Sequence, residues 1–301
     1  MAQLPVGDIH LEYDTFGDAD GTPLLLIMGL GAQMIHWDED FCQQLADKGH
    51  YVIRHDNRDA GLSTHFEGEF DMAALMADFL AGKMPNVPYT LDEMAADSVG
   101  LLKQLGIEQA HICGASMGGM IAQLVACNHP TTALSLTSIM SSTGNPDLPK
   151  STPEAQAALM APRPDGEEET IARAIENAKV MGSEGFEFNA VRTAKRAAEA
   201  FRRSFNPMGV ARQMAAIAAN GDRRERLNKL DLPCVVIHGT TDPLVPMQGG
   251  VDTQENIKGS ALVKIEGMGH DLPPGAWPKV IESICSITLG ETVQTSLFTK
   301  G

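Results

Sequence analysis

The sequence has 301 residues, of which 43% are hydrophobic and 21% charged, and this composition argues against a disordered chain and against a fibrous repeat. The 39 acidic residues outnumber the 23 Lys and Arg, and the formal charge of −16 argues against nucleic acid and anionic membranes as partners. We expect one domain with an inserted sub-domain, and a small molecule as the partner.

The cysteines and the start of the chain bear on the compartment. The five cysteines are odd in number and contain no CxxC pair, so they predict neither a disulfide framework nor a zinc site and favour the cytoplasm. The first residues lack the pattern of a signal peptide, and the strongest apolar run, 24–28, is too short to span a membrane. Both a monomer and a homodimer stay open.

The first predicted elements are strands. Residues 3–16 alternate in polarity around Gly7, which predicts an antiparallel hairpin at one edge of a sheet. Residues 23–29, 51–56 and 111–114 are short apolar runs, typical of parallel strands that are buried on both faces.

Two helices have clear boundaries in the sequence. The first begins after Thr90, which forms a capping box with Glu93, and it ends at Gly106. The second covers 117–129 and ends before Pro130.

Three more strands are predicted, at 133–140, 234–239 and 261–267. Because consecutive parallel strands need a crossover, the alternation predicts an α/β fold with a mostly parallel sheet flanked by helices. Residues 143–220 are rich in alanine and contain no convincing strand, and we interpret them as a helical lid inserted into a core made of 1–142 and 221–301. Eight apolar lid residues could line a cavity, although their helical spacing favours simple packing. They are Met160, Met181, Phe186, Phe188, Phe201, Phe205, Met208 and Met214.

Ser116 is the predicted nucleophile. It lies in Gly114-Ala115-Ser116-Met117-Gly118, which matches GxSxG between a predicted strand and a predicted helix. The two glycines leave room for a turn that holds the serine in a strained conformation, and the helix points its N–H groups at the site. A plain glycine-rich turn is the alternative, and the strand-to-helix context disfavours it.

A serine hydroxyl needs a histidine that takes its proton and an acid that orients this histidine. His270 follows the last predicted strand and is the predicted general base, and Asp242 follows the preceding strand and is the predicted acid. Such loop residues are usually solvated, but the order serine, aspartate, histidine is typical of GxSxG hydrolases. We interpret His238, like the remaining histidines and Cys113, as packing.

Acyl transfer also needs two N–H groups that stabilise the oxyanion. We expect one from the backbone of Met117 and the other from Leu30, in the loop Gly29-Leu30-Gly31 after the first parallel strand. The alternative for this loop is a tight turn without such a role.

Five segments resemble the α/β-hydrolase family and, within it, the aclacinomycin methylesterase-like carboxylesterases. They are MGLGAQ (28–33), HDNRDAGLST (55–64), GASMGG (114–119), HGTTDPLVP (238–246) and GMGHDLP (267–273). The resemblance implies the α/β-hydrolase fold with an eight-stranded, mostly parallel sheet. It implies Ser116, Asp242 and His270 as the catalytic triad, with Leu30 and Met117 as oxyanion donors.

The resemblance also implies a structural role for one loop and shows two departures. Asp56, Arg58, Gly61 and Ser63 match a DxRxxGxS loop that braces the active-site end of the sheet in the family. Met28 stands where many relatives have a histidine. Ala115 stands where many have a histidine or a tyrosine. The first departure bears on how the oxyanion loop is braced, and the second on the packing of the turn.

The predicted activity is hydrolysis of a small to medium, apolar carboxylic ester or methyl ester through an acyl-enzyme, with no metal and no organic cofactor. A lactonase, a thioesterase, a C–C bond hydrolase, an acyltransferase and a perhydrolase use the same triad and stay open. The alternative of another class is a ligand-binding receptor of the same fold. Haloalkane dehalogenases and epoxide hydrolases need an aspartate in place of Ser116, which argues against them.

Overall fold

The computed structural model describes residues 1–68 and 87–290 of the chain. The strands are β1 (Ala2–Val6), β2 (Ile9–Phe16), β3 (Thr22–Ile27), β4 (His50–His55), β5 (Ala110–Ala115), β6 (Ala133–Ile139), β7 (Cys234–Gly239) and β8 (Ala261–Ile265). The α-helices in these residues are α1 (Glu39–Ala46), α2 (Leu91–Gln104), α3 (Met117–Asn128), α4 (Pro153–Met160), α5 (Glu167–Met181), α6 (Ala190–Arg203), α7 (Pro207–Asn220), α8 (Arg224–Leu227), α9 (Gln248–Glu255) and α10 (Trp277–Thr288).

The strands form one eight-stranded sheet in the order β1-β2-β4-β3-β5-β6-β7-β8. β1 with β2 and β2 with β4 are antiparallel, and the other neighbours are parallel. The predicted hairpin at the sheet edge and the mostly parallel sheet are therefore confirmed.

Both faces of the sheet are covered, which explains the continuous apolar runs. Leu25 and Ile27 of β3 pack into one hydrophobic cluster together with α2 and α3. Leu24 and Leu26 pack into a second cluster, which contains side chains of α1 and α10. Successive side chains of a strand point to opposite faces, so a strand between two layers of helices must be apolar at every position.

The predicted ends of α2 are also observed. The Thr90 hydroxyl accepts the N–H of Glu93 at 3.2 Å, and a Glu93 carboxylate oxygen accepts the N–H of Thr90 at 2.8 Å. Gly106 follows the helix with a φ of 74°, which is a left-handed conformation that glycine adopts without strain.

Four helices, α4 to α7, follow one another between β6 and β7. The segment 143–220 contains no strand, as its sequence indicates. These helices contact the loops at the carboxyl ends of the parallel strands, where the predicted site residues lie. None of the helices in the described part of the chain is both long and apolar enough to cross a membrane.

Candidate active site

Ser116 lies in a sharp turn between β5 and α3, with φ 57° and ψ −122°. Such a backbone conformation is strained for a residue with a side chain. A Cβ atom at Gly114 would lie 2.0 Å from the carbonyl oxygen of Gly118, and one at Gly118 would lie 2.0 Å from that of Ile27. Glycines are therefore required at both positions, as GxSxG predicts.

The structure brings Ser116, His270 and Asp242 together in one chain of hydrogen bonds. His270 Nε2 lies 3.0 Å from Ser116 Oγ, and His270 Nδ1 lies 2.8 Å from Asp242 Oδ2. A carboxylate only accepts hydrogen bonds, so Nδ1 carries the imidazole proton and the lone pair of Nε2 faces the serine hydroxyl. This tautomer can accept the proton of Ser116.

Asp242 is held in the ionised form. Its Oδ1 accepts the backbone N–H groups of Leu244 at 2.9 Å and Val245 at 2.8 Å. Burial alone would raise the pKa of Asp242, but the charge of His270 and hydrogen bonds from His238 and His270 lower it well below its ordinary value. The carboxylate thus keeps its charge through the range in which a histidine titrates.

His238 has more than a packing role. It is fully buried, and its Nε2 lies 2.8 Å from the carbonyl oxygen of Val245 and 3.6 Å from Asp242 Oδ2. Because the carbonyl only accepts, Nε2 carries the proton and points toward the acid. The interpretation of His238 as simple packing was therefore incomplete; its position four residues before Asp242, with the strand ending between them, was the available signal.

The two N–H groups predicted for the oxyanion lie unpaired beside Ser116. Gly29 touches the serine, since a Cβ atom built on Gly29 would be 3.1 Å from Ser116 Cβ. Within the described ranges, neither the Leu30 nor the Met117 backbone N–H donates a hydrogen bond. Both groups are free to bind an oxygen atom.

Two side chains brace the oxyanion loop. Asn57 Nδ2 donates to the carbonyl oxygen of Met28 at 2.8 Å. Gln213 of α7 accepts the Gly31 N–H through Oε1 at 2.8 Å and donates to the Arg58 carbonyl through Nε2 at 2.8 Å. The loop is thus held although Met28 replaces the histidine of many relatives. Gln213 could not be recognised from the sequence, because it is one glutamine in an alanine-rich helix.

The loop 56–63 supports the same end of the sheet. Asp56 Oδ1 accepts the N–H of Met34 at 2.6 Å, and the Ser63 hydroxyl donates to the Asp56 carbonyl at 2.6 Å. Gly61 has a φ of 55°, and a Cβ atom there would lie 2.0 Å from Asp56 Oδ2. Arg58 forms hydrogen bonds of 2.6 and 2.8 Å with Asp97. These contacts fit the structural role that the resemblance implies.

The loop that carries His270 is fixed by the last residue of α5 and by the residues that follow it. The His270 N–H donates to the carbonyl oxygen of Met181 at 2.7 Å, and the Gly269 N–H donates to the Ser183 hydroxyl at 2.9 Å. Ser183 in turn donates to Asp271. The inserted helices thus contact both the histidine loop and the oxyanion loop.

A cavity of about 410 Å³ lies between these loops and the helices α4 to α7. Of the eight apolar residues that could line it, three do so, namely Met181, Phe201 and Phe205. Others are exposed instead, namely Met160, Phe188 and Met208. No group of three or more His, Cys, Asp or Glu in the described residues is arranged to hold a metal ion.

Comparison with known proteins identifies the family. The model of the alpha/beta hydrolase fold family matches residues 22–273. The chain belongs to the α/β-hydrolase family. It is 28% identical to the rhodomycin D methylesterase DnrP of Streptomyces peucetius, over 95% of this chain and 97% of the relative. It is 26% identical to 3-oxoadipate enol-lactonase 2 of Acinetobacter baylyi, over 93% and 95% of the two chains.

Solved structures agree on the fold of this α/β hydrolase. The meta-cleavage product hydrolase of Pseudomonas fluorescens IP01 superimposes with a TM-score of 0.76, at 17% identity, over 97% of this chain and 98% of the other. At this identity, the similarity concerns the fold alone.

Proposed function

We propose that the chain is a serine hydrolase that cleaves a carboxylic ester through an acyl-enzyme. In this proposal Ser116 is the nucleophile, His270 the general base, and Asp242 the acid that orients the histidine. The backbone N–H groups of Leu30 and Met117 form the oxyanion hole. The observation that carries the proposal is the unbroken hydrogen-bond chain from Ser116 Oγ through His270 to Asp242.

Acylation follows from the geometry of these groups. The Ser116 hydroxyl transfers its proton to Nε2 of His270 while Oγ attacks the ester carbonyl. The ionised Asp242 stabilises the imidazolium that forms, because its Oδ2 already accepts the proton on Nδ1. The negative charge on the carbonyl oxygen is met by the two free N–H groups, each worth roughly 3 kcal/mol in the transition state.

The histidine then acts in reverse. His270 gives its proton to the leaving alcohol, and the acyl group stays on Ser116. A water molecule that loses a proton to Nε2 attacks the acyl-enzyme, and the acid is released as the serine recovers its hydrogen. These side chains and N–H groups carry out both half-reactions, so we propose no metal and no organic cofactor.

The relatives support an ester as the substrate. The DnrP protein is named a methylesterase, and it aligns with nearly the whole chain. The second candidate is a lactonase, which the name of the Acinetobacter relative favours. A lactone is a cyclic ester, so the same groups would open it and release one product instead of two.

We also propose where the substrate binds and where the protein acts. Residues 143–220 form a cap over the core made of 1–142 and 221–301, because the helices α4 to α7 line the cavity beside His270. None of the five cysteines forms a disulfide bond, which supports the cytoplasm as the compartment. The partner is a small-molecule ester rather than nucleic acid or a membrane, and the protein is a monomer or a homodimer.

The variant Ser116→Ala tests the proposed nucleophile. It should abolish hydrolysis of p-nitrophenyl butyrate and leave the circular dichroism spectrum unchanged. Ser98→Ala is a matched control, because the buried Ser98 hydroxyl also lies 3.4 Å from a histidine nitrogen, that of His55, but outside the site. Wild-type turnover in Ser116→Ala would refute the proposal. Labelling of Ser116 by a fluorophosphonate without turnover of any ester, thioester or lactone would favour the receptor instead.

A further inference from the structure

Arg163 lies between α4 and α5 and lines the cavity. Its guanidinium touches the oxyanion loop, since a Cβ atom built on Gly31 would lie 2.6 Å from Arg163 Nη2. Gly31 directly follows Leu30, a proposed oxyanion donor. Prolines flank Arg163 at positions 162 and 164 and restrict the backbone on both sides. A positive charge is thus held beside the place where the reacting carbonyl would bind.

This charge has no partner among residues 1–68 and 87–290. Arg163 forms no ion pair and no side-chain hydrogen bond there. Arg163 is exposed, and no described carboxylate is close enough to raise the pKa of its guanidinium. Arg173, which also lines the cavity, differs because it pairs with Glu176 at 3.8 Å. The guanidinium carries a fixed positive charge and five N–H donors, so an unpaired arginine in the cavity beside the oxyanion loop can bind an anionic group of a ligand.

The two carboxylates that line the cavity form hydrogen bonds with residues other than Arg163. Asp59 accepts two hydrogen bonds from Arg212, at 2.8 and 2.9 Å. Asp271 accepts a hydrogen bond from Ser183, and burial raises its pKa.

His36, at the cavity wall, lies near the same positive charge and near two further arginines. Burial lowers the pKa of His36 to about 3, and the charges of Arg196, Arg163 and Arg203 contribute to the shift. Arg203 is paired with Asp56, at 2.8 Å. Arg196 forms no ion pair in the described residues, but it does not line the cavity. His36 is neutral, and of the two arginines that line the cavity in the described part of the chain, Arg163 is the one without an ion pair.

We propose that the substrate is an ester that carries a free carboxylate, and that the Arg163 guanidinium binds this carboxylate while the ester carbonyl lies at Leu30 and Met117. The planar guanidinium matches a carboxylate with two parallel N–H···O bonds. The formal charge of −16 does not prevent an anion from binding at Arg163, because physiological salt screens the exposed charges that lie farther away than about 8 Å. The inference rests on the proposed function, since it names the substrate class of that site.

A pair of substrates with nearly the same shape tests the proposal. Monomethyl glutarate carries the carboxylate, and methyl 5-amino-5-oxopentanoate carries a neutral amide in its place. The measured quantity is the ratio of kcat/KM for the acid to kcat/KM for the amide. We expect a ratio well above one for the wild type and a roughly 10- to 100-fold lower ratio for Arg163→Gln, mainly through KM. Arg163→Lys should recover part of the ratio, because it restores the charge but not the planar fork.

Arg202→Gln is the matched control, because it removes the same charge from the inserted helices at an exposed residue that pairs with Glu167. Its ratio should equal that of the wild type. An equal ratio in Arg163→Gln and the wild type, or an equal fall in Arg202→Gln, would overturn the proposal.

Calorimetric binding of monomethyl glutarate to Ser116→Ala separates this inference from the proposed function. If the wild type hydrolyses neither of these esters nor p-nitrophenyl butyrate, but Ser116→Ala binds the monoester and the Ser116→Ala, Arg163→Gln double variant does not, the anion site stands and the ester hydrolase is refuted. If both esters are hydrolysed and binding is the same with and without Arg163, the hydrolase stands and the anion site is refuted.

Discussion

One buried side chain joins the inserted helices to the oxyanion loop. Gln213 is fully buried, accepts the Gly31 N–H and donates to the Arg58 carbonyl. Gln213→Leu removes both hydrogen bonds and keeps nearly the same volume. It therefore leaves one N–H and one carbonyl without a partner, and it frees the loop that presents the Leu30 N–H.

The magnitude follows from these two groups. An unpaired buried polar group costs about 1–3 kcal/mol, so for the two groups we expect a loss of about 2–6 kcal/mol in the free energy of unfolding. Removing an oxyanion donor altogether lowers kcat by roughly 100- to 1000-fold. Asn57 still holds the Met28 carbonyl at the other end of the loop, so the donor is loosened and not removed. We therefore expect kcat to fall roughly 10- to 100-fold, with a smaller change in KM.

The assay is steady-state hydrolysis of p-nitrophenyl butyrate together with urea unfolding. Gln123→Leu is the matched control, because Gln123 is also fully buried but bonds to Ser138 and Arg223, away from the oxyanion loop. It should lose stability and keep kcat. If Gln213→Leu lost stability and kept the wild-type kcat, the bracing of the oxyanion loop by α7 would be refuted.

Three further results are expected. Asp242→Asn should lower kcat by roughly 10⁴-fold without unfolding the protein. The backbone N–H groups would hold the amide oxygen, so the NH₂ group would face the histidine and force it into the wrong tautomer. A loss of kcat below about tenfold in steady-state kinetics would contradict this. Arg212→Leu should cost about 3–5 kcal/mol in urea unfolding, because Asp59 would stay buried without its cation; a loss under about 1 kcal/mol would contradict this. Burial lowers the pKa of both His55 and His111 to about 4, against about 6.5 in the unfolded chain. Protonation of these histidines favours the unfolded chain, so the free energy of unfolding is unaffected by them above pH 6.5 and falls from there toward pH 4. The fall is up to about 1.4 kcal/mol per pH unit for each histidine. A free energy of unfolding that stays flat between pH 7 and 4.5 would contradict that sign.

The sheet and the sharp turn at Ser116 could be predicted because their signals are local. The four positions from Leu24 to Ile27 in β3 face one of two apolar layers, so this part of the strand is an uninterrupted apolar run. Gly114 and Gly118 have no room for a Cβ atom, so the turn around Ser116 can be recognised from the types of five consecutive residues. His270 and Asp242 were found because each follows a parallel strand, and the carboxyl ends of such strands share one edge.

The supports of the site could not be predicted, because they depend on contacts between distant parts of the chain. Gln213 and Gly31 are 182 residues apart, and nothing near either residue indicates the pairing. Helical spacing shows that a helix has an apolar face but not what the face meets, so exposed Met160 and cavity-lining Phe201 look alike in the sequence. The charge of Arg163 stands out only when its surroundings are known to lack a partner.

The proposed ester hydrolysis depends most on the covalent step at Ser116. A wild-type reaction with p-nitrophenyl butyrate, stopped by acid within the first turnover and digested, should give one peptide that contains Ser116 and is heavier by the butyryl group. The corresponding peptide of Ser116→Ala should carry no added mass. Turnover with no acyl group on Ser116, or with the acyl group on another residue, would contradict the central claim.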